Sequence, residues 1–211
     1  MGWGASAAGV GEERGRRAVL TLVFTDIEGS TALTERLGDE RWVDVLAAHD
    51  AAVRAALAAH GGEEVKTTGD GFLAVFGHAG DGVRAAVAAR RSVGEVPVPE
   101  AAGGLRIRVG AHTGAVIRRG GDVLGHNVHL ARRITAAARG GEVLVSSSAM
   151  AAARGVTGVR TGAPRTLRFA GVSEPQVVFR ADVAAEGPPG ADVVVLDASV
   201  RGRTRRRQGP P

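Results

Sequence analysis

Between Ala18 and Ile27 the chain reads AVLTLVFTDI, β-branched or apolar almost without a break. That is the pattern of a strand covered on both faces. Asp26 stands at its end, and Glu28-Gly29-Ser30-Thr31 follow, with Ser30 or Thr31 placed to cap a helix. Trp42, Leu46, His49, Val53, Leu57 and His60 then recur at steps of three and four, one face of a long helix that Gly61-Gly62 ends. Two short strands, 64–67 and 72–76, are joined by Thr68-Gly69-Asp70-Gly71, a strong hairpin signal. Residues 79–93 are Ala-rich and helical, and Pro97 and Pro99 mark a loop. Residues 105–111 alternate as a strand, Gly120-Gly121 is a turn, 127–138 is helical, and 142–146 and 177–180 are strands.

Stripped down, the order is β-α-β-β-α-β with further α and β behind it. It predicts an α+β fold: a ferredoxin-like split βαβ sheet, antiparallel, with helices on one face. Residues 1–16 lack periodicity and read as a flexible arm, 17–183 as the folded domain, and 184–211, rich in Gly, Pro and Arg, as a disordered tail.

Composition narrows the chemistry. With 211 residues there is room for one domain and its tails. The absence of cysteine excludes disulfide frameworks, thiolate metal sites and cysteine nucleophiles. The formal charge of +5 resides in the tail, where Arg201, Arg203, Arg205, Arg206 and Arg207 have no acidic neighbour, so the rest of the chain is balanced. With aromatics at 3% as well, the folded domain offers no nucleic-acid platform. The start lacks the apolar core of a secretory signal, although Gly2 and Ser6 fit the permissive myristoylation pattern. The Val193–Leu196 run is too short to span a bilayer, so a soluble, cytoplasmic protein without a transmembrane segment is expected.

Asp26 ends the predicted central strand, and Asp70 lies at the tip of the hairpin beside it. Neighbouring strands are about 4.8 Å apart, so both carboxylates can reach shared cations. Two oxygen donors, glycine-rich backbone and a helix start at Gly29, Ser30 and Thr31 suit Mg²⁺ and a triphosphate. Taken singly, Asp26 can also be read as a cap and Asp70 as a turn former. Lys66 is the only lysine in the chain, which otherwise uses arginine. A lysine kept on a strand four residues before Asp70 points to a task for a compact point donor, the alternative being a snorkelling side chain.

Four stretches in order, FTDIEGSTAL, VKTTGDGFLAVF, RVGAHTG and GDVLGHNVHLARRI, resemble the catalytic domain of class III nucleotidyl cyclases, and FAGVSEPQVVFR resembles that family's closing strands. The similarity covers roughly residues 17–182. The resemblance implies an adenylate cyclase that converts ATP to 3′,5′-cyclic AMP and pyrophosphate. It implies two Mg²⁺ ions, for which Mn²⁺ can substitute, held by Asp26, Asp70 and the Ile27 carbonyl. Lys66 and Asp122 match the pair that reads adenine. Arg133 matches the arginine that stabilises the transferring phosphoryl group. It further implies a homodimer with shared active sites, Asp26 and Asp70 of one copy facing Lys66, Asp122, His129 and Arg133 of the other.

His129 is the departure. Seven residues after Asp122 and four before Arg133 the family carries an asparagine that orients the transition state. Imidazole there implies a slow enzyme, or a degenerate module that binds nucleotide or a partner without turnover. Asn127, about 200° around the helix, cannot take the missing role. Of the other histidines, His49 and His60 read as packing residues and His112 as a hydrogen-bonded structural residue. His126 and His129 lack a third partner for a metal. Glu28 reads as a first-turn acid or a neighbour of the metals.

Overall fold

The computed structural model describes residues 15–98 and 104–184. Residues 1–14 of the expected amino-terminal arm, with Gly2 and Ser6, and also Pro99, the Val193–Leu196 run and the arginine-rich tail lie outside the described residues, whereas Arg16, expected in the arm, opens the first strand. Strand β1 (Arg16–Ile27) leads to helices α1 (Ser30–Leu37) and α2 (Asp39–Ala59), the hairpin β2 (Glu63–Thr68) and β3 (Gly71–Phe76), and helix α3 (Ala79–Gly94). Strands β4 (Ile107–Arg119) and β5 (Asp122–Leu124), helix α4 (His126–Ala137), strand β6 (Val143–Ser146), helix α5 (Ser147–Ala152) and strands β7 (Val159–Leu167) and β8 (Gln176–Val183) follow.

The sheet runs β2-β3-β1-β4-β6-β8-β7, with β5 paired to β4. Its first half is the predicted split βαβ: β3 lies between β2 and β1 and is antiparallel to both. β1 and β4 pair antiparallel along their whole overlap, from Arg16 opposite Arg118 to Ile27 opposite Ile107. Only β4 and β6 are parallel. Apolar residues at Leu20–Phe24 are buried on both faces of β1, as the unbroken run requires.

The helices do not all share one face. Val23 and Ile27 of β1, Phe72, Ala74 and Phe76 of β3, and Val143 and Val145 of β6 pack with α1, α2, α3 and α5. Leu20, Leu22 and Phe24, together with Leu73, Val75 and Val116, point the other way and meet Ala131 of α4. Leu130 and Ile134 of α4 cover Leu144 and Val178 beside them. Two glycines of β4 let α4 come this close. A Cβ on Gly110 would lie 2.7 Å from the Thr135 backbone nitrogen, and one on Gly114 would lie 2.6 Å from Asn127 Oδ1. Such contacts require a shift of the helix.

Other expectations need correction at their edges. The long helix is two helices, broken at Gly38, whose φ of 74° no branched residue would accept. Gly29, with φ 67°, takes the N-cap of α1, and no side chain caps it; Ser30 opens the helix and Thr31 follows inside it. β4 runs on to Arg119, and Gly120 and Gly121, with φ of 57° and 82°, turn it into β5. β7, an exposed edge strand, and α5 are additional. No helix among the described residues is long and apolar enough to cross a membrane.

Two buried histidines set an acid limit on this core. His49 (0% exposed) and His112 (4%) are both held below the usual histidine pKa, chiefly by burial. A lowered folded pKa means that only the unfolded chain takes up these protons as pH falls below 6.5, the ordinary value. Stability from these groups is therefore full above that pH and is lost progressively below it. The melting temperature is expected to hold between pH 7 and 8 and to fall towards pH 5, with His49→Leu flattening the decline.

Candidate active site

The carboxyl end of β1 delivers Asp26 to the α4 side of the sheet, in the register position opposite Arg108. The β2–β3 hairpin brings Asp70 to the same end. Phe72 N–H donates to Thr25 Oγ1 at 3.1 Å, which docks the hairpin tip against β1. Burial and the charge of Asp70 push the Asp26 carboxyl above the usual carboxylate range, against the pull of Arg108 and Arg132. Arg108 Nη1 stands 3.7 Å from Asp26 Oδ2. Asp70 Oδ2 is buried and has no hydrogen-bond partner.

Two like charges in mutual repulsion, one with a buried and unsatisfied oxygen, fit a divalent cation. Mg²⁺ takes one or two carboxylates and leaves its other positions to water and phosphate. Among the described residues no group of three or more His, Asp or Glu could hold a metal ion. Ile27 has its side chain in the core at 2% exposure, so only its backbone is available to a ligand. A cleft of about 640 Å³ adjoins Asp70, lined by Ser30, Thr31, Trp42 and Leu46 among others. Gly29 lines the neighbouring cleft with Glu28 and Arg106. Glu28 itself is a structural tie: it accepts the Gly140 N–H at 2.9 Å and pairs with Arg106 at 3.2 Å.

Lys66 and Asp122 meet. Lys66 Nζ donates to both oxygens of Asp122 at 2.7 Å, because the β4–β5 hairpin reaches across to β2. Arg118 and Glu63 pair along the same two hairpins. The Lys66 hydrogen bond holds the Asp122 carboxyl below the usual range, and the Val123 N–H adds to it. The two thus present a donor and an acceptor side by side.

Among the described residues, no hydrogen bond or ion pair joins His129 or Arg133 to these groups. His129 is exposed on α4, and Arg133 is half-buried, its guanidinium near Gly171. The α4 arginine whose charge reaches Asp26 is Arg132. Asn127, on the opposite side of α4 from His129, spends its amide on β4: Nδ2 donates to Ala115 O at 2.8 Å and Oδ1 accepts from His112 Nε2 at 2.9 Å. Arg108 and Arg132 escaped the sequence reading because nothing local marks them. The signal for Arg108 is the β1–β4 register, which pairs it with Asp26.

The adenylate and guanylate cyclase catalytic domain matches residues 13–164 of this chain. An uncharacterized protein of Mycobacterium tuberculosis is 37% identical over 124 residues, 59% of this chain and 32% of that protein. An adenylate cyclase of Streptomyces coelicolor is 34% identical over 130 residues, 61% of this chain and 32% of that protein. The chain thus spans about a third of the length of these relatives. Among solved structures, the guanylyl cyclase Cya2 aligns with a TM-score of 0.69 at 27% identity, covering 82% of this chain and 96% of that one. A Trypanosoma brucei adenylate cyclase, solved in its monomeric state, aligns at 0.66 and 27% identity over 77% of this chain and 89% of the other.

Cation binding is measurable without turnover. Mg²⁺ or Mn²⁺ at tenfold excess over its Kd should raise the melting temperature of the protein by about 3–6 °C. Asp70→Asn should remove that shift while leaving the metal-free protein folded. An equal shift in the variant would place the cation elsewhere.

Proposed function

The chain belongs to the adenylate and guanylate cyclase catalytic domain family, and on that premise we propose that it is an adenylate cyclase converting ATP to 3′,5′-cyclic AMP and pyrophosphate. The observation that carries the reading is the Asp26–Asp70 pair at the end of β1, with its unsatisfied Oδ2. Asp26, Asp70 and the Ile27 carbonyl would hold two Mg²⁺ ions, which would supply Lewis acidity at the ribose 3′-hydroxyl and charge neutralisation at the β- and γ-phosphates. Gly29, Ser30 and Thr31 hold the triphosphate against the start of α1.

Both substrate classes occur among the names of the relatives. The choice of ATP rests on Lys66 and Asp122. Lys66 donates to adenine N1 and Asp122 accepts from the exocyclic amino group, so the base takes the place of their mutual ion pair. Guanine presents the opposite pattern on that edge.

His129 and Arg133 act on the reacting centre. Arg133 stabilises charge as the 3′-oxygen bonds to the α-phosphorus and pyrophosphate leaves in line. His129 offers one N–H where the family has asparagine, and turnover is slow for that reason. Within one chain the α4 charge that acts on Asp26 is that of Arg132 and the Arg133 guanidinium lies near Gly171, which favours a homodimer in which Asp26 and Asp70 of one copy face Lys66, Asp122, His129 and Arg133 of a second. A catalytically degenerate, nucleotide-binding module is the second reading, favoured by His129 alone.

Purified protein with Mn²⁺ and ATP should form cyclic AMP, and Asp26→Ala should abolish it. His129→Asn should raise kcat by up to about 10²-fold, the lower end of what one such donor contributes. Mixing Asp26→Ala chains with Arg133→Ala chains should restore part of the activity, because one of the two shared sites in the mixed dimer is intact. Absence of product from wild type and His129→Asn alike leaves the binding module; no recovery on mixing rules out shared sites.

A further inference from the structure

Beneath α4 lies a hydrogen-bonded chain that the cyclase reading does not use. His112 projects from β4 at 4% exposure. Asn127 Nδ2 donates to Ala115 O at 2.8 Å, so its Oδ1 faces His112 Nε2, 2.9 Å away, and that nitrogen must carry the proton. His112 Nδ1 is left as an acceptor for the hydroxyls of Ser146 at 2.9 Å and Ser148 at 3.2 Å. Ser146 Oγ in turn accepts the Ala149 N–H and caps α5. The imidazole is thus neutral, in one tautomer, and satisfied on both sides.

This chain ties the first turn of α4 to the sheet by hydrogen bonds, beside the apolar contact of Val128. Gly125 is the N-cap of α4, with φ 126° and no side-chain cap. The last turn of the helix is pressed against Gly110 through Thr135, whereas the first turn meets the sheet through Asn127 over Gly114. These two anchors are eight residues apart, about 12 Å along the axis. His129 and Arg133 lie between them on the helix.

We propose that His112 and Asn127 are positioning residues that fix the tilt of α4 on the sheet and so aim His129 and Arg133. What His129 and Arg133 do rests on the cyclase reading; where α4 lies does not. Asn127 is buttressed by the missing Cβ of Gly114, and His112 fixes its amide so that the donor faces Ala115. Loss of either leaves α4 free to pivot about the Thr135–Gly110 contact.

Two measurements on the full chain test this. Hydrogen exchange of amides 128–133 reads the helix directly, and kcat and KM for cyclic AMP formation with Mn²⁺ and ATP read its consequence. Asn127→Ala should speed exchange there about tenfold and lower kcat by a similar factor with KM little changed, as loss of about one hydrogen bond implies. His112→Gln keeps a donor at the Nε2 position and should retain both properties. His112→Asn keeps only the Ser146 side and should behave as Asn127→Ala does. Equal behaviour of the Gln and Asn variants, or unchanged exchange in Asn127→Ala, overturns the proposal. Absence of cyclic AMP from wild type and His129→Asn alike removes the cyclase reading, and the exchange comparison then decides the anchoring by itself.

Discussion

The close seating of α4 on the sheet governs this fold. Because Gly110 and Gly114 have no side chains, the helix lies against β4 with Thr135 and Asn127 almost on the backbone. The sheet thereby acquires a second covered face. Leu20, Leu22 and Phe24 are buried on that face while Val23 and Ile27 are buried on the other. A strand sheltered on both sides is held firmly along its length, and its last residues present Asp26 in a fixed place. Wider spacing would expose the second apolar layer and loosen that end of β1.

Much of this was legible in the sequence. The apolar runs of β1 and β3, the Gly69-Asp70 hairpin and the amphipathic α3 each announce themselves through local pattern, and the split βαβ order follows from them. What stayed hidden depended on contacts between distant segments or had no period to read. The steps of three and four read in the sequence begin only at Trp42, so they say nothing of a boundary at Gly38, where the break between α1 and α2 shows in a glycine's backbone. β5 has three residues, too few for alternation, and β7 is polar and exposed along nearly its whole length. The RVGAHTG stretch reads as a strand, but that two of its glycines are a seat for a helix is a fact of tertiary packing.

The candidate site divides in the same way. Asp26, Asp70 and Lys66 were identifiable from residue type and spacing, and Asp122 only through the family resemblance; the fold brings each pair together. Arg108 was not, because its neighbour in space is 82 positions away in the chain, Asp26, reached only through the β1–β4 ladder. The arginine partly offsets the crowding of two acids without neutralising it, since burial and Asp70 still prevail over it at Asp26. The end of β1 therefore remains a place where added positive charge lowers the free energy.

The ion pair between Lys66 and Asp122 carries a consequence for recognition. Each group already has a full complement of charge in the other, so the pair is electrically quiet and holds little attraction for stray anions or cations. A visitor that satisfies only one of them strips the other of its partner and gains little by entering. Only a molecular edge offering hydrogen-bond donor and acceptor together, at the spacing of these two side chains, replaces everything it displaces. Discrimination of this kind comes from what an intruder must break rather than from how tightly the right guest is gripped.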